Sequence, residues 1–493
     1  MINMPEVKTG IVAVSRDCFL IDLSRNRRKR VVDECRKKNI PVIECETIVE
    51  NERDVLKALN ELDEKGINAL VIYLGNFGPE GPLSMLAERF DGPVMLVGAA
   101  EDAGDKLIDD RGDAYCGMLN ASYNIGLRWQ RPFIPEMPVG LPSEIAGMIG
   151  DFIPAARIIL GLQSLKIFTF GPRPQDFLAC NAPVKPLYDL GIEIMENSEL
   201  DLYDLFQQTG DDPEVEAIVR DMEQELGRGN PYPDLLKKLA RYERALMKFY
   251  EDNRGASSYG IFANKCWPAF EKYFGFVPCY INSRLAGRGI PVSCEVDIYG
   301  ALSEYMVSAA TDFPATLLDI NNTVPGDMIE AAGAAAKKYK PTDLFMGFHC
   351  GNTASCCMSS FGMKDHLIMK RLLEPDIQPD VTRGTLEGTI RPGEITIFRL
   401  QGAADTDIRS YIAQGEVLDM DPQSFGGIGV FAIREMGRFY RHVLIAKQFP
   451  HHTAVGFAHA GKALFNAVAM LGVEDISHNQ PREVYYPTEN PFG

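Results

Sequence analysis

The chain has 493 residues, of which 46% are hydrophobic and 24% charged, and these are ordinary values for a globular protein. At the usual domain size, this length predicts about three domains. The net charge of -18 repels polyanions and anionic membranes, so we expect neither nucleic acid nor a membrane as a partner. The N-terminal stretch MINMPEVKTGIVAV has no basic segment before its apolar one, which leads us to expect a cytoplasmic protein.

The 11 cysteines are odd in number and scattered through apparent strands, a usage that suits a reducing compartment. The densest group is Cys350, Cys356 and Cys357, close to His349. Because this group lacks the paired C-x-x-C spacing of structural zinc sites, we do not predict zinc there.

The first part of the chain alternates short β-branched runs with amphipathic segments. It reads "KTGIVAVS", "NRRKRVVDECRKKN", "IPVIECE", "NERDVLKALNELDEKG" and "NALVIYLG", and the pattern restarts at "SLKIFTFGPRPQ". A strand, helix, strand rhythm predicts parallel, doubly wound sheets. We therefore predict two α/β domains, spanning residues 1–150 and 151–312.

One basic run, "SRNRRKR" from Ser24 to Arg30, lies on the first predicted helix. In an acidic protein, such a run indicates a solvated helix face or a contact with a neighbouring subunit. Glycine-rich pieces such as "LAGRGIP" match neither the dinucleotide nor the Walker pattern, so we assign no nucleotide site.

The composition changes after about Asp380. There "RGTLEGTIRPGEITIFRLQG" alternates β-forming with polar residues around the turn signal "RPGE", a pattern that predicts an antiparallel hairpin. We predict a β-rich third domain over residues 313–493.

Acidic residues follow two of the predicted strands. "GIPVSCEVDIYGALSEYMVSAA" predicts a strand that ends at Glu295 and Asp297, followed by an amphipathic helix, and "FPATLLDINN" predicts that Asp319 ends the next strand. In open α/β sheets, ligand groups gather at the carboxyl ends of strands. Glu295 and Asp319 are therefore candidates for a hard-metal site, and the alternative is that they are helix caps or turn residues.

Three of the 7 histidines lie within "KQFPHHTAVGFAHA", at His451, His452 and His459. Neighbouring residues on a strand point to opposite faces, so only one of His451 and His452 can face a given site. The segment thus offers one candidate metal ligand, unless the histidines are simply polar residues at the edge of a strand.

"CEVDIYGAL", the acid in "LLDIN" and "PHHTAVGFAHAGKALFNAVAMLGVEDI" resemble segments of the fucose and arabinose isomerases. The resemblance implies two flavodoxin-like domains followed by a β-rich domain, and a trimeric or hexameric assembly. It also implies Mn²⁺ held by Glu295, Asp319 and His452, so that His452 faces the metal and His451 does not. Oxygen-rich coordination allows Mg²⁺ or Co²⁺ as substitutes, and Asp319 matches the fucose type, since the arabinose type has a glutamate there.

The resemblance leaves His349 in "FHCGN" open, because this segment matches both branches only weakly. His349 is a fourth metal ligand, a substrate contact or a structural residue. Asn352 is the candidate partner of a sugar hydroxyl. Both residues enter the predicted site as substrate-binding groups.

Together these features predict an aldose–ketose isomerase that works through an ene-diol. Glu295 and Asp319 would hold the metal and also transfer protons between C2 and C1 of an open-chain sugar. The rival interpretations are a sugar-binding protein without catalytic activity and a metal-dependent hydrolase. The sequence does not identify the sugar, including whether it is deoxygenated or anionic.

Overall fold

The structure is a computed structural model that describes residues 1–210, 212–373, 380–403 and 407–492, with the backbone alone for residues 372 and 373. The chain divides into two compact units. We call Pro5–Gly161 with Lys462–Gly472 the N-terminal unit, and Met1–Met4, Leu162–Gly461 and Val473–Gly493 the main unit.

The N-terminal unit is built on a five-stranded parallel sheet with the strand order β2-β1-β3-β4-β5, which is the flavodoxin-like order. Its strands are β1 (Thr9–Val14), β2 (Ile43–Val49), β3 (Ala69–Leu74), β4 (Val94–Ala99) and β5 (Val139–Gly140). Its helices are α1 (Ile21–Lys37), α2 (Glu52–Glu64), α3 (Glu80–Arg89), α4 (Ala114–Gly126) and α5 (Pro142–Leu162). Strands β1, β3 and β4 are buried along their whole length, as expected for a sheet covered by helices on both faces.

Helix α5 has 21 residues and is apolar enough, by length and composition alone, to cross a membrane. Its most apolar stretch is 56% buried inside the protein, and Ile145, Ile149 and Phe152 belong to the core of the N-terminal unit. A core helix of a globular protein passes the same test, so this helix is weak evidence for a membrane span.

Only part of the basic run on α1 is a solvated face, formed by the exposed residues Arg25, Lys29 and Arg30. Arg27 and Arg28 are buried, and they form ion pairs with Glu101 at 2.6 Å and Glu44 at 3.0 Å. Arg30 pairs with Asp102 at 2.7 Å. Arg27 and Arg30 therefore attach α1 to the segment after β4, Arg28 attaches it to β2, and the acids of these segments neutralise much of the charge of the run.

The main unit begins with a second parallel sheet, of four strands in the order β7-β6-β8-β9. These strands are β6 (Leu165–Gly171), β7 (Glu193–Ser198), β8 (Tyr259–Ala263) and β9 (Val292–Ser293). The helices of this region are α6 (Lys185–Asp189), α7 (Glu199–Gln208), α8 (Glu214–Leu226), α9 (Leu236–Asn253), α10 (Phe270–Phe274), α11 (Cys279–Gly287) and α12 (Ile298–Thr311). Aromatic residues dominate its core, in which Phe168 and Phe170 of β6 pack on Phe249 and Phe262.

The prediction that helix α12 is amphipathic is wrong. Every residue from Tyr299 to Ala309 is buried, which is the pattern of a helix surrounded by protein on all sides. The helix packs against strands of both sheets of the main unit, and Asp297 caps its first turn by accepting the N–H of Gly300 at 2.9 Å.

The rest of the main unit is a large, mixed sheet of nine strands. They are β10 (Thr316–Asn322), β11 (Leu344–His349), β12 (Met358–Asp365), β13 (Arg383–Ile390), β14 (Gly393–Gly402), β15 (Ile408–Leu418), β16 (Gly427–Ala432), β17 (His452–Gly456) and β18 (Asp475–His478). Its helices are α13 (Gly326–Ala331), α14 (Ala334–Lys337), α15 (Leu367–Leu373) and α16 (Met436–Phe439), which continues into a π-helical turn at Tyr440–Ile445. A last helix, α17 (Gly461–Met470), carries the chain back to the N-terminal unit.

Six of these strands close on themselves. Antiparallel pairing runs from β16 through β11, β10, β17, β14 and β15 back to β16, which makes a small barrel filled by apolar side chains such as Leu318, Ile397, Phe431 and Val455. The predicted α/β class, with two flavodoxin-like sheets and a β-rich C-terminal region, is confirmed. The boundaries 1–150, 151–312 and 313–493 stay a prediction.

The hairpin predicted around "RPGE" is wrong in its pairing. Strands β13 and β14 both form, but among the described residues β13 pairs with β12 and β16, whereas β14 pairs with β15 and β17. The two connecting residues are Arg391 and Pro392. A two-residue hairpin uses either a turn with positive φ at both central residues, which proline forbids at the second, or a turn with glycine at the first, where this chain has Arg391. The chain therefore passes to another part of the sheet.

Candidate metal centre and active site

Glu295 lies just beyond the carboxyl end of β9, in a tight turn formed by Cys294–Val296. Glu295 and Val296 both have left-handed backbone conformations, with φ of 63° and 55°. Such angles are strained for residues other than glycine, and most of all for a β-branched one. A hydrogen bond from Val296 N–H to the carbonyl of Asn264 at 2.9 Å helps to hold the turn, which places the Glu295 carboxylate in the site.

Asp319 and His452 face each other across two barrel strands. They are directly paired in the antiparallel register of β10 and β17, so their side chains lie on the same side of the sheet. Asp319 is in the middle of β10 and not at its end as predicted, because barrel pairing extends the strand to Asn322.

Three ligand atoms converge at this point. The Nε2 atom of His452 lies 3.4 Å from Oδ1 of Asp319 and 3.5 Å from Oε2 of Glu295. The imidazole is completely buried, while about a fifth of each carboxylate side chain remains exposed. Asp319 and His452 belong to strands of the nine-stranded sheet, whereas Glu295 follows β9 of the four-stranded sheet.

The other ring nitrogen of His452 identifies the tautomer. Nδ1 lies 2.8 Å from Oδ2 of Asp297, and because a carboxylate only accepts hydrogen bonds, Nδ1 carries the proton. In neutral imidazole the lone pair is then on Nε2, which is buried without a hydrogen-bond partner among the described residues. This is the arrangement of a metal-binding histidine whose second nitrogen is held by a carboxylate.

The charges of the site stabilise one another. Burial opposes the charged forms of His452 and Glu295, but the neighbouring opposite charges outweigh it, so the pKa of His452 is raised and that of Glu295 is lowered. For Asp297, burial is likewise outweighed by Arg399 and His452, and its pKa is held well below the usual value.

Asp297 and Arg399 were missed as functional residues by sequence reasoning. Arg399, on β14, donates two hydrogen bonds to the Asp297 carboxylate, at 2.6 and 2.9 Å. It is fully buried. The only sequence signal for the pair is a lone arginine inside the apolar strand segment "ITIFRLQG", which requires a buried acid as a partner.

The prediction that His451 faces away from the carboxylates is wrong. Its Nε2 lies 3.5 Å from Oε2 of Glu295 and 3.7 Å from Oδ1 of Asp319, and its ring centroid is 4.1 Å from that of His452. Strand alternation fails because β17 begins at His452, so His451 lies in the preceding bend. His459 lies elsewhere, exposed near the carbonyl of Gly415.

His349 and Asn352 are both buried, and His349 lies near Asp319 and His452. His349 ends β11, and its ring centroid lies 5.5 Å from that of His452. Its Nδ1 accepts the N–H of Cys350 at 2.8 Å, which leaves the proton of a neutral ring on Nε2. Nε2 of His349 and Oδ1 of Asn352 are buried without a hydrogen-bond partner among the described residues, so each can still bind a ligand.

Two further side chains line the site. The thiol of Cys180 lies 3.5 Å from Oε2 of Glu295 and 3.9 Å from Nδ1 of His452, and burial followed by the nearby acids raises its pKa. The ring of Phe177 packs edge-on against His451 with 5.4 Å between centroids. Both come from the connection after β6, where the sequence carries no recognisable motif.

Among the described residues, three groups could hold a metal ion, and all of them contain His452. The other members are Cys180 with Asp297, Glu295 with His451, and Asp319 with His349. None of these three groups contains both Glu295 and Asp319, but the carboxylate and imidazole donors around Nε2 of His452 fit Mn²⁺ and do not require a soft metal. The segment from Cys350 to Cys357 forms no such group in the described ranges, and its cysteines are free thiols.

Two protein-family models match parts of the chain. Residues 10–163 match the model of the fucose/sulfoquinovose isomerase N-terminal domain, and residues 347–478 match that of the L-fucose isomerase C-terminal domain. The chain belongs to the fucose isomerase family. It is therefore an aldose–ketose isomerase, as predicted.

Curated relatives in the fucose isomerase family are similar over most of their length. The sulfoquinovose isomerase of Priestia megaterium is 24% identical over 427 residues, which cover 85% of this chain and 87% of the relative. That of Clostridium sp. is 28% identical over 373 residues, with 73% and 75% covered. That of Alkalicoccus urumqiensis is 25% identical over 334 residues, with 66% and 68% covered.

The two fucose isomerase domain models do not span the whole site. His349, Asn352 and His452 lie inside the matched C-terminal range, whereas Glu295 and Asp319 lie between the two matched ranges. The assignment of these two acids therefore rests on the geometry around His452.

Proposed function

We propose that this protein is a divalent-metal-dependent isomerase in which Glu295, Asp319 and His452 hold the ion. The observation that carries this proposal is the buried Nε2 of His452, which has no hydrogen-bond partner among the described residues and lies within 3.5 Å of one oxygen of each carboxylate. A bound Mn²⁺, or Mg²⁺ or Co²⁺ in its place, would supply Lewis acidity to the sugar oxygens on C1 and C2, the two carbons whose oxidation states change.

The protein's own groups carry the proton. Isomerisation removes a proton from C2 of the open-chain aldose and delivers one to C1 through an ene-diol. Glu295 and Asp319 are partly exposed to the pocket, and as carboxylates they can accept and return this proton. His452 is fully buried and acts only as a neutral ligand, while Asn352 and the Nε2–H of His349 bind sugar hydroxyls.

For the substrate we propose sulfoquinovose, an aldohexose with a sulfonate on C6. The support is that similar proteins are named sulfoquinovose isomerases, and the match to that of Priestia megaterium covers 87% of its length. The second candidate is L-fucose, because the C-terminal region matches the L-fucose isomerase model. Comparing kcat/KM for sulfoquinovose, glucose and L-fucose separates them, and we expect sulfoquinovose to exceed glucose by at least about tenfold.

The reaction class is tested by incubating the protein with Mn²⁺ and the ketose in D₂O. An isomerase incorporates deuterium into a sugar carbon, whereas a sugar-binding protein or a metal-dependent hydrolase does not. Glu295→Gln serves as the control, because it keeps the shape of the side chain and removes the base. The experiment is run with the ketoses that correspond to sulfoquinovose, glucose and L-fucose. If the wild-type protein puts deuterium into none of them, the proposed function is overturned.

We also propose that the protein acts in the cytoplasm as a homo-oligomer, either a trimer or a hexamer. This proposal rests on the resemblance to the fucose and arabinose isomerases and on the acidic, disulfide-free chain. Sedimentation of the active protein tests the assembly.

A further inference from the structure

A buried arginine, Arg399, contacts the Asp297 carboxylate that holds His452. Arg399 is a barrel-strand residue with no exposed surface, and a buried guanidinium is strongly destabilising unless its donors are paired. From its contacts we infer that Arg399 and Gln401 are positioning residues, which act through Asp297 to hold His452 in the orientation that binds the metal. This inference rests on the proposed function.

The hydrogen bonds leave Asp297 no freedom to turn. Its Oδ2 accepts both Nη1 of Arg399 at 2.6 Å and Nδ1 of His452 at 2.8 Å. Its Oδ1 accepts Nη2 of Arg399 at 2.9 Å and the N–H of Gly300 at 2.9 Å. Rotation of the carboxylate would break bonds to an arginine, a helix end and a histidine at once.

Gln401 fixes the arginine in turn. Its Oε1 accepts Nε of Arg399 at 2.9 Å and Nη2 at 2.6 Å, while its own amide donates to the carbonyl of Gly402 at 3.0 Å. The guanidinium plane is therefore held on two sides. A planar, bidentate group gives this geometry, whereas the point charge of a lysine does not.

The direction of these bonds matters for the metal. Because Asp297 keeps the proton of His452 on Nδ1, the lone pair stays on Nε2 and points at Glu295 and Asp319. A ring that rotates or changes tautomer loses this lone pair. Supporting groups of this kind typically change metal affinity by about 10 to 100-fold.

The same unit contains a matched control. Arg284 is also buried and forms ion pairs with Glu243 at 2.6 Å, Glu225 at 2.7 Å and Asp221 at 2.6 Å. Its ion pairs join helices α8, α9 and α11 and involve none of the candidate ligands. A change at Arg284 thus reports the cost of disturbing a buried arginine without disturbing His452.

The test is titration of Mn²⁺ into the sugar-free protein, followed by calorimetry, with folding checked by circular dichroism. We expect Arg399→Lys to weaken Mn²⁺ binding by about tenfold or more, and Arg284→Lys to change it less than about twofold. Excess Mn²⁺ should then restore most of the kcat of Arg399→Lys, because the catalytic carboxylates are intact. Gln401→Met keeps every charge in place and should weaken binding by a few fold.

Wild-type affinity in a folded Arg399→Lys protein would overturn the inference while leaving the proposed function standing. If Arg399→Lys does not fold, Gln401→Met decides in the same way, and unchanged Mn²⁺ binding by that variant overturns the inference. A folded wild-type protein that binds no divalent ion would overturn the proposed function and the inference with it.

Discussion

Replacing His349 by alanine separates the two roles left open for this residue. Nδ1 of His349 accepts the N–H of Cys350 at 2.8 Å, and burial lowers the pKa of the ring, so the imidazole is neutral with its proton on Nε2. A nitrogen that carries a proton donates a hydrogen bond and cannot bind a cation. We therefore expect His349 to contact the sugar and not the metal.

The magnitude follows from the loss of one hydrogen bond. A neutral hydrogen bond contributes about 0.5 to 1.5 kcal/mol net, so His349→Ala should lower kcat/KM by roughly 2 to 12-fold. The affinity for Mn²⁺ should stay nearly unchanged. If His349 were instead a ligand, as its position near Asp319 and His452 allows, its removal should weaken Mn²⁺ binding by about 10 to 100-fold.

The assay is Mn²⁺ titration without sugar, together with steady-state kinetics at saturating metal. His366 offers a matched control, because it is also buried and its Nδ1 accepts a backbone N–H, that of Met369 at 3.3 Å. Burial lowers its pKa to about 4, and it belongs to none of the metal-competent groups. A tenfold loss of Mn²⁺ affinity in His349→Ala, absent in His366→Ala, would refute the reasoning.

Three further predictions concern the metal, the pH dependence and the assembly. Removing metal with a chelator should abolish turnover. Each of the variants Glu295→Gln, Asp319→Asn and His452→Ala should lower kcat by orders of magnitude in a folded protein. Full metal content and turnover in His452→Ala would contradict the proposed set of metal ligands. Glu271 is fully buried, and burial raises its pKa to about 8 from 4.5, so the folded protein keeps a proton that the unfolded chain releases. Stability should therefore fall as pH rises from 5 to 8, by on the order of 2 to 4 kcal/mol, and Glu271→Gln should flatten this slope in thermal melts. Sedimentation should show a trimer or a hexamer, and a fully active monomer of 54.7 kDa would be inconsistent with the proposed assembly.

Local sequence patterns were sufficient for the parallel part of the fold. Each strand of a doubly wound sheet is a short β-branched run between amphipathic helices, and "ALVIYL" of β3 is buried at every position as that pattern requires. The acid pair and the histidine cluster were also visible, because polar residues after apolar runs stand out. The family segments pointed to Glu295, Asp319 and His452, and the structure brings these three side chains together.

Tertiary structure alone decided how these groups are arranged. The pairing of β14 with β15 and β17 depends on barrel closure between distant segments, so the turn signal at "RPGE" was misleading. The exact start of β17 turned His451 toward the carboxylates, since strand alternation applies only within a strand. The contact between Arg399 and Asp297 joins residues 102 positions apart. No local pattern specifies a partner at such a distance, because the energy of a buried ion pair depends on what the whole fold brings around it.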